Sequence, residues 1–382
     1  MALLTVYVDH AAADTTGDGS SDDPWKYLYQ ATGAIATDAG TNQYKVWVKA
    51  SETYGTDEVA EANVESDDAG HDGLGGEAGA VVYIDQPGTS NLPNVFEGYH
   101  TTIADGGIVK IDCQGVTDQL THGIQTVVGA GTYTVFKNFY VTRASGHGFS
   151  CNNVTDNQTV FKNCLAYLNG DAGFSGNNYL SFVCCQSEGN TDQGFDVDLQ
   201  CLFIACVAHG NVIGFSVTSS SPLYGCLAYN NSSHDYATAT STPGLIANCT
   251  SDCENAAGDY CINIRGSGGS MLAVVNCVLY DGDYGIASAG DSGELVISRH
   301  NIFDSSNTAD VNANWLATSE GNGTGNRGDL VDPANTFGAG EVAARTYSPG
   351  ASALSIGIDS FFTNSFWTQY AKGGGTNPPT EA

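Results

Sequence analysis

The chain repeats itself about every twenty residues, and that period restricts what it can fold into. Aligned on Gly-Phe, the segments SGHGFSCNN, GDAGFSGNN, TDQGFDVDL and NVIGFSVTS place Phe149, Phe174, Phe195 and Phe215 in one column. A later GDYGIASAG puts Ile286 in the same role. A second column runs through Cys164, Cys185, Cys206, Cys226, Cys249 and Cys277, at spacings of 21, 21, 20, 23 and 28 residues. Just ahead of it stand Asn138, Asn163, Asn248 and Asn276. Between Gly, Asn, Asp and Ser, each repeat holds three short apolar runs of period two, which are strands and not helices. Three strands per turn make a parallel β-helix, an all-β solenoid whose stacked coils lie about 4.8 Å apart. The phenylalanine and cysteine columns then face the core. The asparagines close tight turns and hydrogen-bond along the stack.

A solenoid grows along one axis, so 382 residues do not require several domains. The 12 Lys and Arg stand against 42 Asp and Glu, a net charge of −30. That balance excludes nucleic acid as a partner and anionic membrane surfaces as a target. It fits a self-repelling surface or a cationic partner. The opening MALLTVYVDHAAAD has neither a basic start nor a long apolar core, so it does not read as a signal peptide. No run of 18 apolar residues is present, which argues against membrane insertion. Six of the 12 cysteines fall in one inward column, where a reduced thiol packs as a small hydrophobe. A reduced ladder implies assembly in a reducing compartment. Neither Cys184 and Cys185 nor Cys249 and Cys253 show zinc-site spacing with a partner pair.

These repeats resemble the right-handed parallel β-helix superfamily, the pectate-lyase-like fold. The opening VYVDHAAADTTGDGSSDDPWKYLYQA is similar to the start of such chains: a strand, an Asp/Gly loop, Pro-Trp and a short helix. Residues 332–359, DPANTFGAGEVAARTYSPGASALSIGID, resemble their closing coil. The resemblance implies an N-terminal cap over residues 1–40, with a cap helix, and a parallel β-helix over 41–330. A closing coil over 331–360 and an aromatic, Gly/Pro-containing tail over 361–382 complete it. The fold hosts lyases, hydrolases, epimerases, tailspikes and inert scaffolds, so it does not assign an activity.

Asp171 and Asp192 each stand three residues before a column phenylalanine, one coil apart. Asp196 and Asp198 share the outward face of their strand, at positions matched by Ser150, Asn152, Ser175, Asn177, Ser216 and Thr218. The expectation is an exposed polar strip, and Ser175, Asn177, Asp196, Asp198, Ser216 and Thr218 are the candidate glycan-binding residues. Tyr167, Tyr179 and Tyr229 are candidate stacking platforms. NTDQGFDV resembles the Asn-Thr-Asp and following Asp of polygalacturonase-type hydrolases, which implies Asp171, Asp192 and Asp196 as acid, base or nucleophile. Gln193 interrupts that motif, HGNVIGF lacks the expected acids, and His147 comes earlier in the chain than the family's histidine. A lyase needs a Lys or Arg base, and Lys137, Lys162 and Arg143 fall elsewhere. No cofactor is required. The clustered acids, or the loop with Asp14, Asp18, Asp22 and Asp23, are oxygen-rich enough for Ca2+. His147, His209 and His234 read as turn or surface residues.

The leading expectation is therefore a structural or adhesive surface protein of a virion-type assembly, such as a phage spike, fibre or capsid decoration. It would lie in the virion or outside the cell. Its partners would be other assembly subunits, further copies of itself, or a surface polysaccharide. The alternatives are a carbohydrate-active enzyme, either glycoside hydrolase or polysaccharide lyase, and a secreted bacterial adhesin. Phe361, Phe362, Phe366, Trp367 and Tyr370 in the tail either cap the last coil or dock onto a neighbouring subunit.

Overall fold

A computed structural model describes most of residues 2–311 together with 327–330. Residues 56–79, 85–92, 114–121, 127–132, 152–157, 312–326 and 331–382, with several shorter segments, lie outside the described residues. The closing coil, the aromatic tail, Asp14 and Asn152 fall among them. The chain divides into two units, Met1–Cys201 and Leu202–Ala382.

In the first unit the chain visits three sheets in turn. Phe136 lies on a strand of the first sheet, Thr134–Lys137. The second sheet takes Phe139–Thr142, and the third takes Phe149–Cys151. One coil later come Val160–Lys162, Leu165–Tyr167 and Phe174–Gly176, each pairing in parallel with its predecessor. The register stacks like on like. Phe149 pairs with Phe174 and Phe174 with Phe195, with ring centroids 4.6 and 4.8 Å apart. Phe136, Phe161 and Phe182 form a second stack from the first sheet, and its rings meet the other stack edge to face. All six rings are buried.

The second unit repeats the order with Leu202–Ile204, Val207–His209 and Ile213–Thr218, then Leu223–Tyr224, Leu227–Tyr229 and His234–Ala239. Its pairings are again parallel. Tyr236 takes the place of the column phenylalanine, stacks on Phe215, and sends its hydroxyl to the carbonyls of Cys226 and Thr250.

The corners explain the sequence columns. The residue before each column cysteine has a positive φ: Asn163, Cys184, Ala205, Gly225, Asn248 and Asn276 lie between 53° and 61°. Asparagine tolerates that conformation best among non-glycine residues. Asn163 also donates to the side chain of Asn138 one coil back. Each column cysteine is buried, and all 12 cysteines are free thiols. The glycine of Gly-Phe has a different cause. A Cβ on Gly173 would stand 2.1 Å from Ser187 Oγ, and one on Gly148 would stand 2.8 Å from the Gly173 carbonyl oxygen. At Gly148 and Gly173 the coils pack too closely for any side chain.

Leu28–Asp38 is the only helix among the described residues, and it buries Leu28, Ala31 and Ile35 along one face. The strand before it, Leu3–Val8, pairs in parallel with Gln43–Lys49, so the first sheet begins inside the segment assigned above to the cap.

Candidate functional site on the third sheet

The turn that leads into the third sheet is held by a buried asparagine ladder. Asn169 Oδ1 accepts the Ala144 N–H at 3.0 Å. Asn190 Oδ1 accepts both the backbone N–H and the side-chain amide of Asn169, at 3.0 and 2.8 Å. Asn190 in turn donates to Ser187 Oγ. The second unit continues the pattern by itself through Asn211 and Asn231. Buried amides that satisfy one another this way fix the turn, since leaving one unpaired is costly. Asp171 and Asp192 stand two residues beyond Asn169 and Asn190, so the ladder fixes where the two carboxylates leave the coil.

Those carboxylates belong to a column of ionisable groups. His122 and His147 stack one coil apart, with centroids at 5.0 Å and planes 3° apart. The His147 N–H donates to His122 Nδ1 at 3.3 Å. His147 Nδ1 lies 3.5 Å from Asp171 Oδ2. Burial first, and then the neighbouring His147, lower His122 to about 4, so it is neutral near pH 7. Asp192 moves the other way. Burial raises its carboxyl above the usual range, the charge of Asp171 adds to this, and Gln193 and His147 oppose it. Asp171 thus lies close enough for its charge to act on Asp192.

Beside this column runs the outward row of the sheet. Register places Tyr83, Gln125, Ser150, Ser175 and Asp196 in one line across five strands. The row is more closed than the sequence suggests. Ser150 is wholly buried and Ser175 only 9% exposed, while Asn177 and Asp196 are half-buried and Asp198 is exposed. Gln125 Oε1, Ser150 Oγ and His147 Nδ1 are buried without a hydrogen-bond partner. In the second unit Ser216 and Thr218 occupy half-buried outward positions on Ile213–Thr218.

Other candidates fall away from this row. Tyr229 is buried against His209 with centroids 4.6 Å apart, so it is a packed residue and not a sugar platform. Tyr167 faces outward on the second sheet near Tyr140, and Tyr179 is exposed at a corner with φ 59°. Lys137 and Lys162 pair on the first sheet, and Arg143 binds Asp112 on the second. Asp18 accepts the Ser20 N–H. Among the described residues no group of three His, Cys, Asp or Glu is arranged to hold a metal. His234 is no surface residue either: it is buried, and its Nε2 lies 2.7 Å from Asn263 Nδ2.

No protein-family model matches the chain, and a search of curated proteins finds no match either. Solved structures do match. A rhamnogalacturonan lyase aligns at TM-score 0.53 and 13% identity, over 91% of this chain and 94% of its own. The fold is a right-handed parallel β-helix of the pectate-lyase-like kind. A pectate lyase aligns at TM-score 0.49 and 15% identity over 92% and 86% of the two chains. The A-module of a mannuronan C-5 epimerase from Azotobacter vinelandii aligns at 0.42 and 16% over 79% and 87%. At these identities the likeness establishes the β-helix and no activity. The likeness lends no support to the structural or adhesive role expected above.

Proposed function

We propose that this β-helix cleaves a polysaccharide at the edge of the third sheet of its first unit, by glycoside hydrolysis. The observation that carries the reading is the Asp171–Asp192 pair. One carboxyl is held above its usual range by burial and by its neighbour's charge, and the neighbour lies 3.5 Å from His147. Two carboxyls whose surroundings differ in this way can divide acid and base work. Asp192, protonated, gives its proton to the glycosidic oxygen as the bond to the anomeric carbon breaks. Asp171, beside His147, takes a proton from the water that attacks that carbon. Asp196, one register step from Ser175, faces the sugar next to the break. The polar row and the similarity in fold to carbohydrate-active enzymes support the reading.

Reducing-end release from a panel of polysaccharides tests it. Asp192→Asn is expected to lower kcat at least about 100-fold, the usual range for a lost general acid. It should also remove the alkaline limb of the pH–rate profile. Turnover that survives Asp192→Asn and Asp171→Asn undiminished would place the chemistry elsewhere.

A further inference from the structure

The cations of the first unit are all accounted for, and none belongs to the third sheet. Lys45 and Lys137 bind Glu97, and Lys49 binds Asp9 at 2.6 Å. Lys110 and Arg143 share Asp112. Lys26 lies over the Tyr27 ring, and Lys162 stands beside Lys137 on the first sheet. After Lys162 no Lys or Arg occurs until Arg265, while nine Asp and Glu do. The site therefore gathers Asp171, Asp192, Asp196 and Asp198 with His147 beside them but no lysine or arginine to offset them. The same face also holds Gln125 Oε1 and Ser150 Oγ, on side chains 8% and 0% exposed, neither with a hydrogen-bond partner.

We propose that the glycan this face takes is uncharged: a neutral polysaccharide read through its hydroxyls, and not a polyuronate. The proposal rests on the functional reading above and adds the substrate class to it. Recognition of a sugar carboxylate calls for Arg or Lys, because a guanidinium or ammonium must replace the water it loses. Here a uronate in each subsite would meet carboxylates at distances where like charges repel. Hydroxyls carry no such penalty. They donate to the half-buried Asp196 and the exposed Asp198, and they accept where a donor is offered. Successive coils about 4.8 Å apart present one polar side chain per step, which suits a chain of repeating sugars.

The test is calorimetric titration of full-length Asp192→Asn, whose lowered turnover keeps the probes intact during the titration. The probes are neutral hexasaccharides (of glucose, galactose, mannose and N-acetylglucosamine) and hexasaccharides of galacturonate and mannuronate. Each is titrated once with added calcium and once with chelator. The expected result is a neutral hexamer that binds at least about tenfold tighter than either uronate, a difference of about 1.4 kcal/mol. Asp198→Lys, an exposed change that leaves the core intact, is expected to raise uronate affinity several-fold. Uronate binding as tight as the best neutral hexamer, with or without calcium, overturns the substrate class and leaves the hydrolase reading standing. An unchanged uronate affinity in Asp198→Lys would remove the site from this face. Failure of every hexamer to bind would overturn both.

Discussion

Asp235 shows how much one residue can hold in this fold. It occupies the strand position where earlier coils carry Gly194 and Gly214, and it is wholly buried. Asn231 donates to its Oδ1 at 2.6 Å, while the Ser251 hydroxyl and the Asp252 N–H donate to its Oδ2. It receives the amide of the last ladder asparagine: counting on from the Tyr229–Asp252 pair, the next ladder position falls on Glu254. Burial outweighs these donors and raises its carboxyl to about 7. The folded state therefore holds the proton more tightly than the unfolded chain, whose value is 3.8. The associated stability is complete below pH 3.8 and is lost as pH rises through about 7. A shift of this size corresponds to something on the order of 4 kcal/mol. Thermal unfolding followed from pH 4 to 8 should show a Tm decline in the wild type that Asp235→Asn flattens. Parallel declines in the two proteins would show that Asp235 does not titrate in this window. Nothing in the local sequence SSHDYAT marks Asp235 as buried. Its environment is set by Asn231 on the preceding turn and Ser251 sixteen residues later.

At the scale of a turn or strand, the ladder and the glycine columns are what hold neighbouring coils in register. Asn190→Ala is expected to destabilise the first unit by at least about 2 kcal/mol, because it leaves both the Asn169 N–H and its amide without their acceptor. Gly173→Ala has no room for its methyl beside Ser187 Oγ and should cost at least as much as an overpacked core substitution, about 1–3 kcal/mol. Chemical denaturation of both variants checks the pair. A loss well below 1 kcal/mol in each would mean that the corners do not set the coil. The strands themselves were legible from the sequence, since alternation and the Phe and Cys columns place them directly. The ladder was not. Asn169, Asn190, Asn211 and Asn231 recur every 20 or 21 residues, yet the asparagines before the cysteines draw the eye because they adjoin a clearer column. Those asparagines supply positive φ, whereas the ladder asparagines supply buried hydrogen bonds. The histidines were hidden for a related reason. His122 and His147 stand two residues before Ile124 and Phe149, whereas Asp171 stands three before Phe174, so an alignment on the Gly-Phe column does not bring His147 and Asp171 together. The closure over Ser150 depends on tertiary packing that alternation cannot report.

Across the whole molecule, charge and architecture act together. The β-helix lifts the acids of successive coils into rows. Between Lys162 and Arg265 the sequence carries no lysine or arginine, so Asp171, Asp192, Asp196 and Asp198 have none on their own coils. Composition alone reads as solubility. Only the register, with Phe174 beside Phe195 and Ser175 beside Asp196, turns part of that acidity into a pair of interacting carboxyls next to a histidine. The account stands on that coupling. It is measured most directly by following the side-chain carboxyl carbon of Asp192 by NMR as a function of pH, in the wild type and in Asp171→Asn. The account predicts a wild-type midpoint above the ordinary 3.8 that falls toward it when Asp171 is neutralised. An ordinary midpoint in the wild type, or a raised one that ignores Asp171→Asn, would contradict it.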